Sequence, residues 1–272
     1  MIDYQFNTAD LFFALPELFM VAAIALILLL DLFVSERFQN LTYSITQSTL
    51  AITGYFAFNL IGESAVIFDG TFGLDTIGSY FKVFMRGFSI VALVYSRHYL
   101  RVHNLLKGEY FILSLLSVLG MMVMVSAHSM LTIYLGLEIM SLSLYTLIAI
   151  ARDRAVAIEA ALKYFVLGAI ASGLLLYGMS MIYGITGSLD IGQIAAFATA
   201  TNLNSEQVLI LNFGLVFLVI GIAFKFGAVP FHMWVPDVYQ GAPTSVTMFL
   251  STVPKIAATA MLVRLLIDGL GG

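Results

Sequence analysis

The sequence predicts an all-α, polytopic membrane protein. Three observations carry that expectation. The 272 residues are 61% hydrophobic and 10% charged, against about 25% charge in soluble domains. The apolar residues form runs of about 20, the length that crosses a hydrocarbon core. The basic residues sit in alternate connections, the bias that orients membrane helices. Net charge is −4, which excludes a polyanion-binding surface and hence a nucleic-acid partner as the main theme. There is no cysteine, so no disulfide, Fe–S cluster or thiolate metal site belongs to the chain.

About eight spans are read from the apolar runs: 11–34, 42–62, 77–97, 109–126, 129–150, 156–184, 207–227 and 244–267. The first is long and ends in acid without a cleavage signature, so it reads as a retained helix and not a signal peptide. Connections after the first, third and fifth spans carry Arg37, then Arg97, Arg101 and Lys107, then Arg152 and Arg154. The alternate ones carry Asp3 and Asp10, Glu63, Asp69 and Asp75, then Asp190 and Glu206. The basic side is therefore expected to be cytoplasmic, with the N-terminus facing outward. The stretch SLDIGQIAAFATATNLNS is too polar to span and is expected to be a short surface helix and loop.

Charges within apolar spans are costly, about 2.5–3.5 kcal/mol on insertion scales, and mark function by default. In the fifth span Glu138 lies near mid-depth by helical rise. In the sixth, Lys163 stands one turn after Glu159, an i,i+4 pair. It reads either as a snorkelling group or as part of a proton entry path. In the seventh, Lys225 is followed by Gly227 and Pro230. A half-helix is expected over His232–Gly241, making this span discontinuous. In the eighth, Lys255 lies at mid-span directly after Pro254. That proline removes a backbone donor and leaves the Leu250 carbonyl free to hold water. His232, inside the Pro-rich break, reads as a proton relay, a gate, or a capping group for the half-helix. Lys82 and Arg86 are expected to snorkel and pair near Asp75, with Glu17 as a helix-dipole acid at the start of the first span. His128 is expected to be a surface or capping group. No His or acid spacing suits a metal, and no phosphate-binding or dinucleotide motif is present.

The run FKFGAVPFHMWVPDVYQGAPTSVTMFLSTVPKIA resembles the broken seventh and following eighth helices of the antiporter-like membrane subunits of respiratory complex I, the proton-translocating NADH-quinone oxidoreductase. The segments ALPELFMVAAIALILLLDLFV and GLEIMSLSLYTLIA are similar to the N-type among those subunits. The resemblance implies a translocase subunit in which Glu138 tunes Lys225, Lys255 passes protons sideways and Lys163 lies near the entry path. It places NADH, FMN, Fe–S clusters and quinone in partner subunits, with none in this chain. Expected partners are the other membrane subunits, the sister antiporter-like ones among them, and the lipid bilayer. Such subunits contain two inverted five-helix units. The spans read here correspond to an N-terminal three-helix segment, residues 1–107, and the first unit, fourth to eighth spans, residues 108–272. The second unit is expected to be absent. Two other readings remain: a subunit of a multi-subunit sodium/proton antiporter, and a non-pumping structural fragment.

Overall fold

The computed structural model describes residues 8–33, 39–201 and 203–271; Asp3 and Arg37 of the charge pattern lie outside them. The chain begins with α1 (Thr8–Phe13) and α2 (Leu15–Phe33). These replace one expected span, because Pro16 has no N–H to bond the Phe12 carbonyl and the chain breaks at Ala14. Then come α3 (Gln39–Asn59), α4 (Thr76–Val102), α5 (Gly108–Val125), α6 (Met130–Ile148) and α7 (Ala155–Thr186). After these follow α8 (Ile191–Ala198), α9 (Ser205–Phe226), α10 (Trp234–Gly241) and α11 (Thr244–Leu262), which continues into a π turn, Val263–Asp268.

Among the described residues, seven helices are long and apolar enough to cross a membrane, one fewer than the eight spans expected. The helix that falls short is α3. At 21 residues it has the length, but threonines dilute its apolar character. Thr42, Thr46, Thr49 and Thr53 are nonetheless buried. Three of their hydroxyls donate to carbonyls one turn back: Thr46 to Thr42 (2.8 Å), Thr49 to Ile45 (2.9 Å) and Thr53 to Thr49 (2.8 Å). These three hydroxyls are thereby satisfied inside the helix, which is what an apolar environment demands.

The most enclosed span is α5. It packs closely on α6: a Cβ added at Gly136 of α6 would lie 2.6 Å from the Met124 backbone nitrogen of α5. Only glycine permits that approach, so the helix bearing Glu138 is seated firmly on the centre of the bundle. The surface helix expected in the polar stretch is α8, capped by Asp190, whose carboxylate accepts from Gln193 N–H at 2.8 Å. A small antiparallel hairpin, β1 (Ala65–Ile67) with β2 (Phe72–Leu74), occupies the connection before α4 and was not apparent in its sequence. His128 bridges it to α8: its Nε2 is 3.6 Å from Asp190 Oδ2, and its N–H donates to Thr71 O at 3.1 Å.

Asp75 forms no ion pair with Lys82 or Arg86; its direct partners lie elsewhere. It caps α4 through Gly78 N–H (2.6 Å) and pairs with Arg264 of the final π turn (2.6 Å). Burial would raise this carboxyl, but the Arg264 hydrogen bond and charge, helped by the Gly78 amide, outweigh burial and hold it below its ordinary 3.8. A depressed folded-state value stabilises the fold above the ordinary value, and that stability is lost as pH falls through the folded one. Thermal melts in detergent should therefore lose stability on acidification at the low end of the carboxylate range. Asp75→Asn should lower stability at pH 7 and flatten that acid limb; an unchanged acid limb would remove Asp75 from the account.

Candidate functional site: a broken helix between two lysines

The helix α9 ends at Phe226, where Gly227 adopts a left-handed conformation (φ 71°). A side chain there would meet Val235 Cγ2 at 2.7 Å, so glycine answers both the backbone and the space. Pro230 cannot donate to the carbonyl of Phe226, and the chain turns away before starting α10 at Trp234. The last helical carbonyls must find other donors. That of Ala223 takes the Ala228 N–H (2.9 Å), and that of Phe224 takes the indole N–H of Trp234 (3.0 Å). That of Lys225 takes the ammonium of Lys255 from α11 (2.6 Å). A cation at the negative end of a helix is electrostatically favoured. Lys255 also lies 5.0 Å from the Trp234 ring centroid, a cation–π position. Trp234 is 1% exposed and stacks on Tyr164 of α7, with centroids 4.6 Å apart.

Lys225 is buried and points the other way. Its ammonium donates to the hydroxyl of Ser141 on α6 (2.8 Å). Ser141 lies eleven residues after Met130, about 16 Å along α6 by helical rise, so Lys225 sits at the middle of the bundle. Glu138 is three residues before Ser141 on the same helix. Glu138 and Lys225 do not form an ion pair: Ser141 stands as the direct partner. One carboxylate oxygen of Glu138, Oε1, is buried with no hydrogen-bond partner among the described residues.

The expected pair of Lys163 and Glu159 forms at 2.8 Å, and a second acid joins it. Asp237 of α10 approaches Lys163 at 2.8 Å, tying α7 to the half-helix beyond the break. This triad is solvent- or lipid-facing in the isolated chain, with Lys163 43% exposed at the side chain. His232 is exposed and takes no part in the bonds of Lys225 or Lys255. Its backbone carbonyl accepts Val235 N–H at 2.9 Å, while the N-cap of α10 is Met233 and no side chain caps that end. Sequence reasoning did not single out Ser141, Trp234, Tyr164 or Asp237. Of these only Trp234 carried a signal, as the single tryptophan within the proline cluster.

A second buried charge cluster lies apart from this one. Lys82 of α4 pairs with Glu17 of α2 at 2.5 Å, with side chains 2% and 9% exposed. Arg86, one turn on, is 1% exposed, and its guanidinium nitrogens have no hydrogen-bond partner among the described residues. The expectation of snorkelling is therefore corrected: both cations are buried inside the bundle, where Lys82 pairs with Glu17 and the Arg86 stem lies beside Gly54 of α3.

Residues 127–269 match the family described as NADH:quinone oxidoreductase/Mrp antiporter, TM. The chain is 70% identical over 267 residues to NADH-quinone oxidoreductase subunit N of Ruthia magnifica subsp. Calyptogena magnifica, covering 98% of this chain and 55% of that protein. It is 50% identical to the subunit N of Alkalilimnicola ehrlichii, covering 98% and 54%. Among solved structures, a chain of respiratory complex I from Thermus thermophilus superposes with TM-score 0.78 at 30% identity, over 92% of this chain and 52% of that one. A chain of the Mrp complex from Dietzia sp. shares the fold with TM-score 0.73 at 19% identity, over 94% and 49%. The chain thus spans about half the length of the relatives it matches. With the broken helix and both its lysines inside the matched residues, the chain belongs to the NADH:quinone oxidoreductase/Mrp antiporter transmembrane family.

Proposed function

We propose that this chain supplies a proton-translocating half-channel to the membrane arm of a bacterial NADH-quinone oxidoreductase, with residues 108–272 as the five-helix translocating unit and residues 1–107 as the flanking three-helix segment. The observation that carries this reading is the broken end of α9. There Lys225 and Lys255 share one residue's backbone, and each has a neutral hydrogen-bond partner. An ammonium held by a hydroxyl or a carbonyl keeps its position yet can release its proton; one locked to a carboxylate releases it less readily. Two such groups on one helix end repel when both are charged, so their protonation is coupled. Glu138 adds the charge that draws a proton towards Lys225, Ser141 connects them, and Lys255 passes the proton onward. Lys163, held by Glu159 and Asp237, serves the approach to this path, and His232 stands at its rim. NADH, FMN, Fe–S clusters and quinone are held by partner subunits, whose redox energy drives the transfer. The high identity to relatives named as subunit N of that oxidoreductase supports these partners. The basic connections between α4 and α5 and between α6 and α7 support a cytoplasmic side there and a periplasmic N-terminus.

The test uses the full-length protein in its purified complex. Lys255→Met should lower proton translocation and coupled quinone reduction by about tenfold, a barrier change of ~1.4 kcal/mol. NADH oxidation by an artificial acceptor, which bypasses the membrane arm, should be unaffected. Copurification without any NADH-oxidising partner, together with sodium/proton exchange in vesicles, would instead assign the chain to an antiporter.

A further inference from the structure

At one end of the bundle the C-terminal turn of α4 and the connections into α5 and α7 enclose a groove of about 1110 Å³. Arg101, Lys107, Arg152 and Arg154 line it, with Asp153 as the acid among them. A neighbouring groove of about 310 Å³ shares Arg101 and adds Arg97, Tyr43 and Val94. Arg97 and Arg101 are one helical turn apart and converge: each donates to the same oxygen, Asn40 Oδ1, at 3.2 Å. Arg97 also rests 4.5 Å from the Tyr43 ring centroid, and its Nε is buried without a partner among the described residues. Two guanidinium groups are thus gathered on one neutral amide, an arrangement that repels itself until an anion joins it. Back along α4, towards the middle of the span, Val91 and Val94 are half-exposed. The surface therefore passes from paired guanidinium groups to an apolar lane, the order of parts in a phospholipid.

We propose that this end of the chain holds an anionic phospholipid, with its phosphodiester between Arg97 and Arg101 and an acyl chain along Val94 and Val91. A phosphodiester offers paired oxygens to guanidinium groups, which bind them bidentately. Basic pockets beside membrane helices recognise lipid head groups in this way. The groove's other cations, Lys107 and Arg154, are placed to select a net-negative head group over a zwitterionic one. The proposal rests on the chain spanning a membrane and is independent of the proton path.

The test employs the full-length protein in its purified complex, delipidated and exposed to photoreactive phosphatidylglycerol, with crosslinks mapped by peptide mass spectrometry. Crosslinks are expected on the segment containing Val91–Lys107. Unlabelled phosphatidylglycerol should compete, while phosphatidylcholine and glycerol phosphate should not. Arg97→Gln with Arg101→Gln should weaken that competition about tenfold. Arg97→Lys with Arg101→Lys, which keeps the charge, should retain most of it. Melting curves of both variants confirm that they fold. Equal competition by phosphatidylcholine, or unchanged labelling of the folded glutamine variant, would overturn the site. Competition by glycerol phosphate alone would reassign it to free phosphate.

Discussion

Replacing Lys225 by alanine in the full-length protein should abolish most of the proton translocation of its complex, a fall of about tenfold or more, equivalent to at least ~1.4 kcal/mol. The reason is local. Lys225 is the buried ammonium that reaches α6, and its bond to Ser141 connects α9 to the helix bearing Glu138. Alanine removes both the carrier and the contact. Lys225→Arg provides the sharper comparison. An arginine keeps the charge but does not give up its proton, so it should resemble alanine in pumping while resembling lysine in thermal stability. Proton uptake by inverted vesicles and detergent melting curves would be measured on the same preparations. Pumping at wild-type rates by the arginine variant would show that Lys225 acts only as a fixed charge.

The second large effect is expected on stability, at the other charged cluster. Glu17 is the carboxylate in direct contact with Lys82, and Arg86 lies one turn further along α4 with its guanidinium enclosed. Removing one partner of a buried ion pair costs about 3–5 kcal/mol, because the remaining charge stays out of water without compensation. Glu17→Gln should therefore lower the melting temperature markedly. The double variant Glu17→Gln with Lys82→Met should recover part of that loss, since it deletes the stranded cation as well. If the single and double variants both melted with the wild type, the pair would contribute nothing.

The architecture was legible because hydropathy and helix length are properties of contiguous residues. The runs that became α4–α7, the half-helix α10 and the surface helix α8 all declared themselves in that way. So did Lys225, Lys255 and Glu138, since a charge inside an apolar run stands out without knowledge of its neighbours. What connects them did not. Ser141 is one serine among several, and only the fold brings it to a lysine 84 positions later. Asp237 reaches Lys163 across 74 positions. Lys82 and Arg86 were read as snorkelling because their depth was measured along α4, whereas their burial is decided by elements far off in sequence: Glu17 of α2 pairs with Lys82, and Gly54 of α3 lies against the Arg86 stem. The span read over 42–62 forms as α3, and three of its threonine hydroxyls are bonded within the helix, so its polar composition understates how well it suits an apolar environment.

The bond from Lys255 ends on the main chain of residue 225 and not on its side chain. Any substitution of the Lys225 side chain leaves that acceptor in place, so the two positions can be perturbed separately even though they are adjacent. A double-mutant cycle on Lys225 and Lys255 would consequently report the coupling of their protons, with little contribution from a shared contact. Position 227 is the exception. A side chain there would tilt the carbonyl and displace both lysines together, so Gly227 variants should mimic the double mutant while retaining every ionisable group.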